Sequence, residues 1–252
     1  DDKESKAGGK DDKPKDDKDG KPKEARPKDD KPKDDKGKES GPQRVGPPST
    51  ERAVIGSYRG TVSELPTALV RRDAEGWHSV GKGARVNSAE PLVALPGMLA
   101  VVETEGNAVL MLRGSLPSFA IDPVQFLLLE SQIVLHKNDA FDADLTLVRG
   151  RLHIRNNKEK GPLKVRLRFE NEAWDLRLPR QGDEVMCWLL KAYRPDINHR
   201  AGEEPACNLV LWILEGDAEV KPDPFRTYSL EADSGRTMVM KWDSHTKTDA
   251  PT

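Results

Sequence analysis

The chain is poor in the residues that build catalytic and metal centres. Among 252 residues there are two cysteines and five histidines. Two thiols cannot cage a metal, and neither a CxxC pair nor a Cys/His cluster is present. Cys187 and Cys207 would pair in an oxidising compartment; two buried free thiols are the equal alternative. His78, His136, His153, His199 and His245 show no metal-ligand spacing and no HExxH. Each reads as a solvated or surface residue, with His153 exposed on a strand. A G-x-S-x-G elbow and a phosphate-cradling glycine loop are both missing; Gly81-Lys82-Gly83 reads as a turn. No apolar run reaches the ~18–20 residues that would span a bilayer as a helix. With a net charge of -2, no global field draws the chain to nucleic acid or to an acidic membrane. The expectation is a non-catalytic protein with no cofactor and no metal.

What is present divides sharply. From residue 1 to about 45, Ala7 and Ala25 are almost the only apolar side chains. Such a segment cannot bury enough surface to offset the entropy of ordering it. Asp11-Asp12-Lys13-Pro14-Lys15 returns as Asp29-Asp30-Lys31-Pro32-Lys33, an imperfect repeat too short and polar for a solenoid unit. Each Asp pair has its own lysine neighbour, so a solvated spacer is favoured over a Ca²⁺ or anionic-polymer site. Residues 1–48 therefore read as a disordered charged linker, with a contour of up to ~150 Å. Residues 53–243 read as a folded domain and 244–252 as a polar tail. Residue 1 is Asp, so the chain reads as a fragment or processed form, with any export signal or membrane anchor lying upstream.

From about Ala53 the apolar period is two. Leu163, Val165, Leu167 and Phe169 alternate with Lys164, Arg166 and Arg168, the pattern of a half-buried strand. Ala173–Leu178, Asn107–Arg113 and Leu145–Ile154 repeat the alternation. The runs Phe126–Leu129 and Leu209–Leu214 are apolar on both faces and read as central, doubly covered strands. Glu184–Ala192 would allow a short helix, but strand is favoured. Glycines such as Gly76, Gly114, Gly150 and Gly182 punctuate these runs. The fold class is all-β: an antiparallel β-sandwich or a β-helix-like roll.

The order of these strands resembles the FecR-type domain of bacteria. Gly76-Trp77-His78-Ser79-Val80, followed by Gly83 and Val86, is similar to that family's opening. Asn107–Gly114 resembles its next strand and turn, Leu147–Ile154 its middle element, and Leu209–Val220 with Glu215-Gly216 its close. Pro162–Leu178, ending in Trp174-Asp175-Leu176-Arg177-Leu178, is similar to the longer versions found in large multi-domain bacterial surface proteins. The likeness covers about residues 60–232. Arg113 stands where the family often has Asp, and the sigma-factor-binding segment of familiar members is absent. The resemblance implies a periplasmic or cell-surface sensing or scaffolding domain, with an envelope protein as partner.

The residues themselves offer one candidate surface. Arg149, Arg151, His153 and Arg155 alternate with apolar residues, as do Lys164, Arg166 and Arg168. If the two strands pair as a hairpin around Asn156–Pro162, their cations share one face. Arg149, Arg151, Arg155, Lys164, Arg166 and Arg168 are then candidates for binding an anionic glycan, a lipid headgroup or an acidic protein. The competing reading is a charged solvent face that protects a sheet from aggregation. Nucleic acid is not expected, because no stacking aromatics are interleaved with these cations. The five tryptophans lie in alternating apolar runs and read as core residues rather than a sugar platform. Glu170 and Glu172 read as an exposed acidic hairpin rather than a glycosidase pair. Asp139, Asp142 and Asp144 form a loop cluster that would hold a structural Ca²⁺ only if their oxygens converged.

Overall fold

The computed structural model describes residues 46–60, 68–115, 130–192, 205–232, 239–244 and 249–251. Nearly all of the expected linker, the Phe126–Leu129 run, His199 and His245 lie outside these residues.

The described chain is all-β, with seventeen strands and no helix. The first half holds β1 (Val54–Gly60), β2 (Leu69–Asp73), β3 (Gly76–Ser79), β4 (Arg85–Asn87), β5 (Pro91–Ala94), β6 (Leu99–Thr104), β7 (Ala108–Arg113) and β8 (Ser131–His136). Then come β9 (Ala143–Asn156), β10 (Leu163–Phe169), β11 (Glu172–Leu178), β12 (Glu184–Ala192) and β13 (Ala206–Glu215). The last are β14 (Asp217–Asp223), β15 (Arg226–Glu231), β16 (Val239–Asp243) and β17 (Asp249–Pro251). Glu184–Ala192 is a strand, and residues 249–251, read as part of a polar tail, pair with β16.

Hydrogen bonding sorts the strands into two sheets. Sheet A runs β4-β1-β6-β7-β9-β12-β13-β16-β17. Sheet B runs β3-β2-β5-β8-β9-β10-β11-β14-β15. From β10 onward, successive hairpins fall alternately on B and A, as in a roll. The inward rows of both sheets meet in one core cluster. At its centre Phe169 meets the edges of Trp174 and Trp242, each at 5.1 Å.

β9 belongs to both sheets, and one glycine allows it. Before Gly150 the inward residues are Leu145 and Leu147; after it they are Leu152 and Ile154. Gly150 has φ +85°, and a Cβ there would lie 2.4 Å from the Ser131 hydroxyl oxygen and 2.6 Å from Ser131 Cα. Only glycine fits. The residue expected to separate two strands instead lets one strand change sheets. Ser131 then fastens the crossing, donating to the Arg113 carbonyl (2.6 Å) and accepting from the Arg151 N–H (2.7 Å).

Cys187 and Cys207 are both buried, and no disulfide joins them. Cys187 sits in register with Leu211, four residues along β13 from Cys207. That is roughly 13 Å at strand rise, beyond disulfide reach. Burial pushes the Cys187 thiol up to about 12, which leaves it inert as a nucleophile.

Candidate functional site

The expected basic face does not assemble. β9 and β10 form no hairpin: they pair in parallel, through Ala143–Thr146 and Val165–Arg168. Arg151 and Arg155 follow the Gly150 crossing onto the outer face of sheet A, whereas Lys164, Arg166 and Arg168 lie on the outer face of sheet B. The loop after Asn156 is long enough for a turn, but the side chains of β9 have already changed sheets by then.

On sheet B, Arg166 and Arg168 are spoken for. Arg166 grips Asp175 through two nitrogens, at 2.7 and 2.9 Å, and stacks over Phe141 at 4.2 Å. Arg168 grips Asp144 in the same two-pronged way, at 2.7 and 2.9 Å, and donates to the Gly46 carbonyl. The Asp144 side chain is 2% exposed and also accepts from Asn138. Arg149, at the crossing, holds Glu130 at 2.8 Å. A groove of about 840 Å³ runs over this face, walled by Gly46–Pro48, the Glu170–Ala173 turn and Lys221–Pro224. Its floor is Arg166 and Arg168, already neutralised.

The acidic candidates are tied in the same way. Glu170 meets Lys191 at 2.5 Å, and Asp142 meets Lys158 at 2.9 Å. Asp144 has gone to Arg168, so the loop aspartates do not converge. Among the described residues no three His, Cys, Asp or Glu side chains are placed to hold a metal ion.

His136 departs from the expected surface role. It is buried on the sheet B side, and desolvation holds it below its ordinary range. Its Nδ1–H serves the Ser49 carbonyl (3.3 Å), and Nε2 accepts from the Thr146 hydroxyl (2.8 Å). His153 is half-buried against Glu184 at 2.9 Å, and His78 meets Asp73 at 3.0 Å.

The unexpected feature is the outer face of sheet A. Outward residues of neighbouring strands line up in rows, because antiparallel register puts them side by side. One row reads Val101, Met111, His153, Met186, Trp212 and Val239. The next reads Leu99, Arg113, Arg151, Trp188, Val210 and Lys241. A solvated face would carry polar residues here. Instead, most of these side chains are apolar and half-buried. Trp188 and Trp212 stack with ring centres 6.1 Å apart and planes 26° from parallel. The Arg151 guanidinium lies over Trp188 at 4.2 Å.

The structure departs from the sequence pattern at two points. Of the five tryptophans only Trp174 and Trp242 are core; Trp188 and Trp212 face outward, and Trp77 is 53% exposed beside Arg72. Leu209–Leu214 is not covered on both faces. Leu209, Leu211 and Ile213 are buried, but Val210 and Trp212 stand on the outer face and Leu214 is exposed. The run's two-sided apolarity was the signal for this face; read alone, it looked like burial.

Comparison with protein-family models, curated proteins and solved structures returned no match of any kind.

Proposed function

We propose that this chain is a non-catalytic docking module whose outer sheet A face receives a partner protein, in the extracytoplasmic sensing or scaffolding role implied by the FecR-type likeness. The observation that carries the reading is the apolar, aromatic strip across β6, β7, β9, β12, β13 and β16, where a sandwich bordering water would carry charge. Its composition is that of a protein interface core: Trp, Met and Arg are enriched there and Lys, Glu and Asp depleted. Its size also suits. Six strands at ~4.8 Å and two rows of outward residues, about four residues at ~3.4 Å, span roughly 400 Å², or about 800 Å² counting both partners, the size of a transient rather than an obligate contact.

A photo-crosslinking amino acid at position 210 tests this in cells that naturally make the protein, with position 221 on sheet B as control. The expected result is a protein adduct at 210 alone, lost when Trp188 and Trp212 are both changed to Ser. The identified partner should then bind the purified chain. Equal adducts at both positions, or none, would remove the reading.

The second reading is an anionic glycan on the basic strand face. It has less support, since Arg149, Arg166 and Arg168 already hold carboxylates. Sulfated-glycan binding that disappears on Lys164→Glu would restore it.

A further inference from the structure

The outer face of sheet A carries a charge arrangement that its apolar strip does not explain. Arg113 on β7 and Arg151 on β9 are direct cross-strand neighbours. Like charges placed opposite each other destabilise a sheet unless something neutralises them. Elsewhere on the sandwich that neutralisation is present. Lys164 faces Arg177, for example, but Arg177 holds Glu219. Among the described residues no carboxylate reaches Arg113 or Arg151. The Arg151 Nε is buried with no hydrogen-bond partner. Burial and the neighbouring Arg113 both push the Arg151 guanidinium below its ordinary range.

This geometry selects a ligand. The Arg151 guanidinium lies over the Trp188 ring at 4.2 Å, and its Nε has no hydrogen-bond partner. A planar fork held in this way suits a carboxylate, which accepts two parallel N–H bonds. Leu99 flanks Arg113 and Val210 flanks Trp188, so the anion must arrive within an apolar surface. The tryptophans lie stacked against each other and half-buried rather than projecting, which favours a protein surface over a bilayer.

We propose that Arg113 and Arg151 form a carboxylate-binding pair, and that the partner docking on sheet A presents a Glu or Asp side chain amid aliphatic or aromatic residues. This rests on the docking reading above, and it names the chemistry of the partner.

The test is a random twelve-residue peptide library panned against the full chain, with counter-selection on a variant carrying Trp188→Ser and Trp212→Ser. Recovered peptides should combine an acidic residue with an apolar run. A Gln in place of that acid should weaken binding about tenfold, the worth of a charge-assisted pair. In a chain carrying Arg113→Gln and Arg151→Gln, the Glu and Gln peptides should bind equally and the apolar preference should persist. Peptides that depend on Trp188 but show no acidic preference would overturn the carboxylate pair and leave the docking face standing. Failure to recover any peptide that depends on the tryptophans would overturn both. Phosphatidylglycerol vesicles that bind where peptides do not would assign the face to a membrane instead.

Discussion

The two outer faces of the sandwich treat their arginines in opposite ways. On sheet B, Arg166 and Arg168 are locked to Asp175 and Asp144, and Arg168 also pins the incoming segment at Gly46. On sheet A, Arg113 and Arg151 sit side by side without a carboxylate, among tryptophan and aliphatic side chains. Both faces grow from the same alternation of in and out. Arg166 and Arg168 on sheet B hold carboxylates within the described chain; among the described residues Arg113 and Arg151 on sheet A do not. Charge alone therefore does not mark a binding surface: satisfied cations belong to the fold, and unsatisfied ones are available to a ligand.

The largest expected contrast lies between single arginines. Arg168→Ala leaves Asp144 buried and uncompensated, and should cost about 4 kcal/mol of folding stability. Arg151→Ala removes one cation–π contact but also a like-charge neighbour, and should change stability by less than ~1 kcal/mol. Urea unfolding of the two variants measures both; equal losses would erase the distinction between the faces.

Next comes the joint between the sheets. Gly150→Ala forces a Cβ into Ser131 and strains a left-handed backbone, and should cost about 3 kcal/mol. A loss below ~1 kcal/mol in thermal or denaturant unfolding would show that β9 can relax without disturbing the crossing.

Changing Trp188 and Trp212 together to Ser should cost little stability, at most ~2 kcal/mol, because both rings stand outside the core. A much larger loss would make the sheet A face structural rather than a docking surface. Trp174→Ser, in the core beside Phe169, is the control and should be far more damaging.

The most gradual effect is that of pH on the sheet B side. Desolvation lowers the His136 pKa from 6.5 in the fold. The unfolded chain therefore takes up a proton near pH 6.5 while the folded chain resists it, and the unfolded state is favoured as pH falls. The contribution is complete above about pH 6.5 and is lost progressively below it. Stability measured at about pH 7.5 and about pH 5.5 should fall more in the wild-type chain than in His136→Asn. An equal fall in the two would remove His136 as its source.

Much of the fold could be read from local pattern. The run from Leu163 to Phe169 is β10 to the residue, and Ala173–Leu178 lies within β11. Period-two alternation has one physical cause, successive side chains pointing to opposite faces, so it survives without tertiary information. The candidate site was less legible. Arg151 and Arg166 look alike in sequence, each lying on an alternating strand and followed by a leucine. What separates them is whether the neighbouring strand offers Asp175 or Arg113, and pairing partners come from distant segments.

By itself the sequence determined the strand-forming segments, the split between a charged N-terminal stretch and an apolar-patterned remainder, and the lack of any catalytic or metal motif. These follow from composition and from the alternation of side chains along an extended backbone. The tertiary structure alone decided that β9 changes sheets at Gly150, that β9 and β10 run parallel, and that Trp188 and Trp212 face outward. Each of these depends on which strands become neighbours. That choice is made by the packing of the whole sandwich and is not encoded in any one segment.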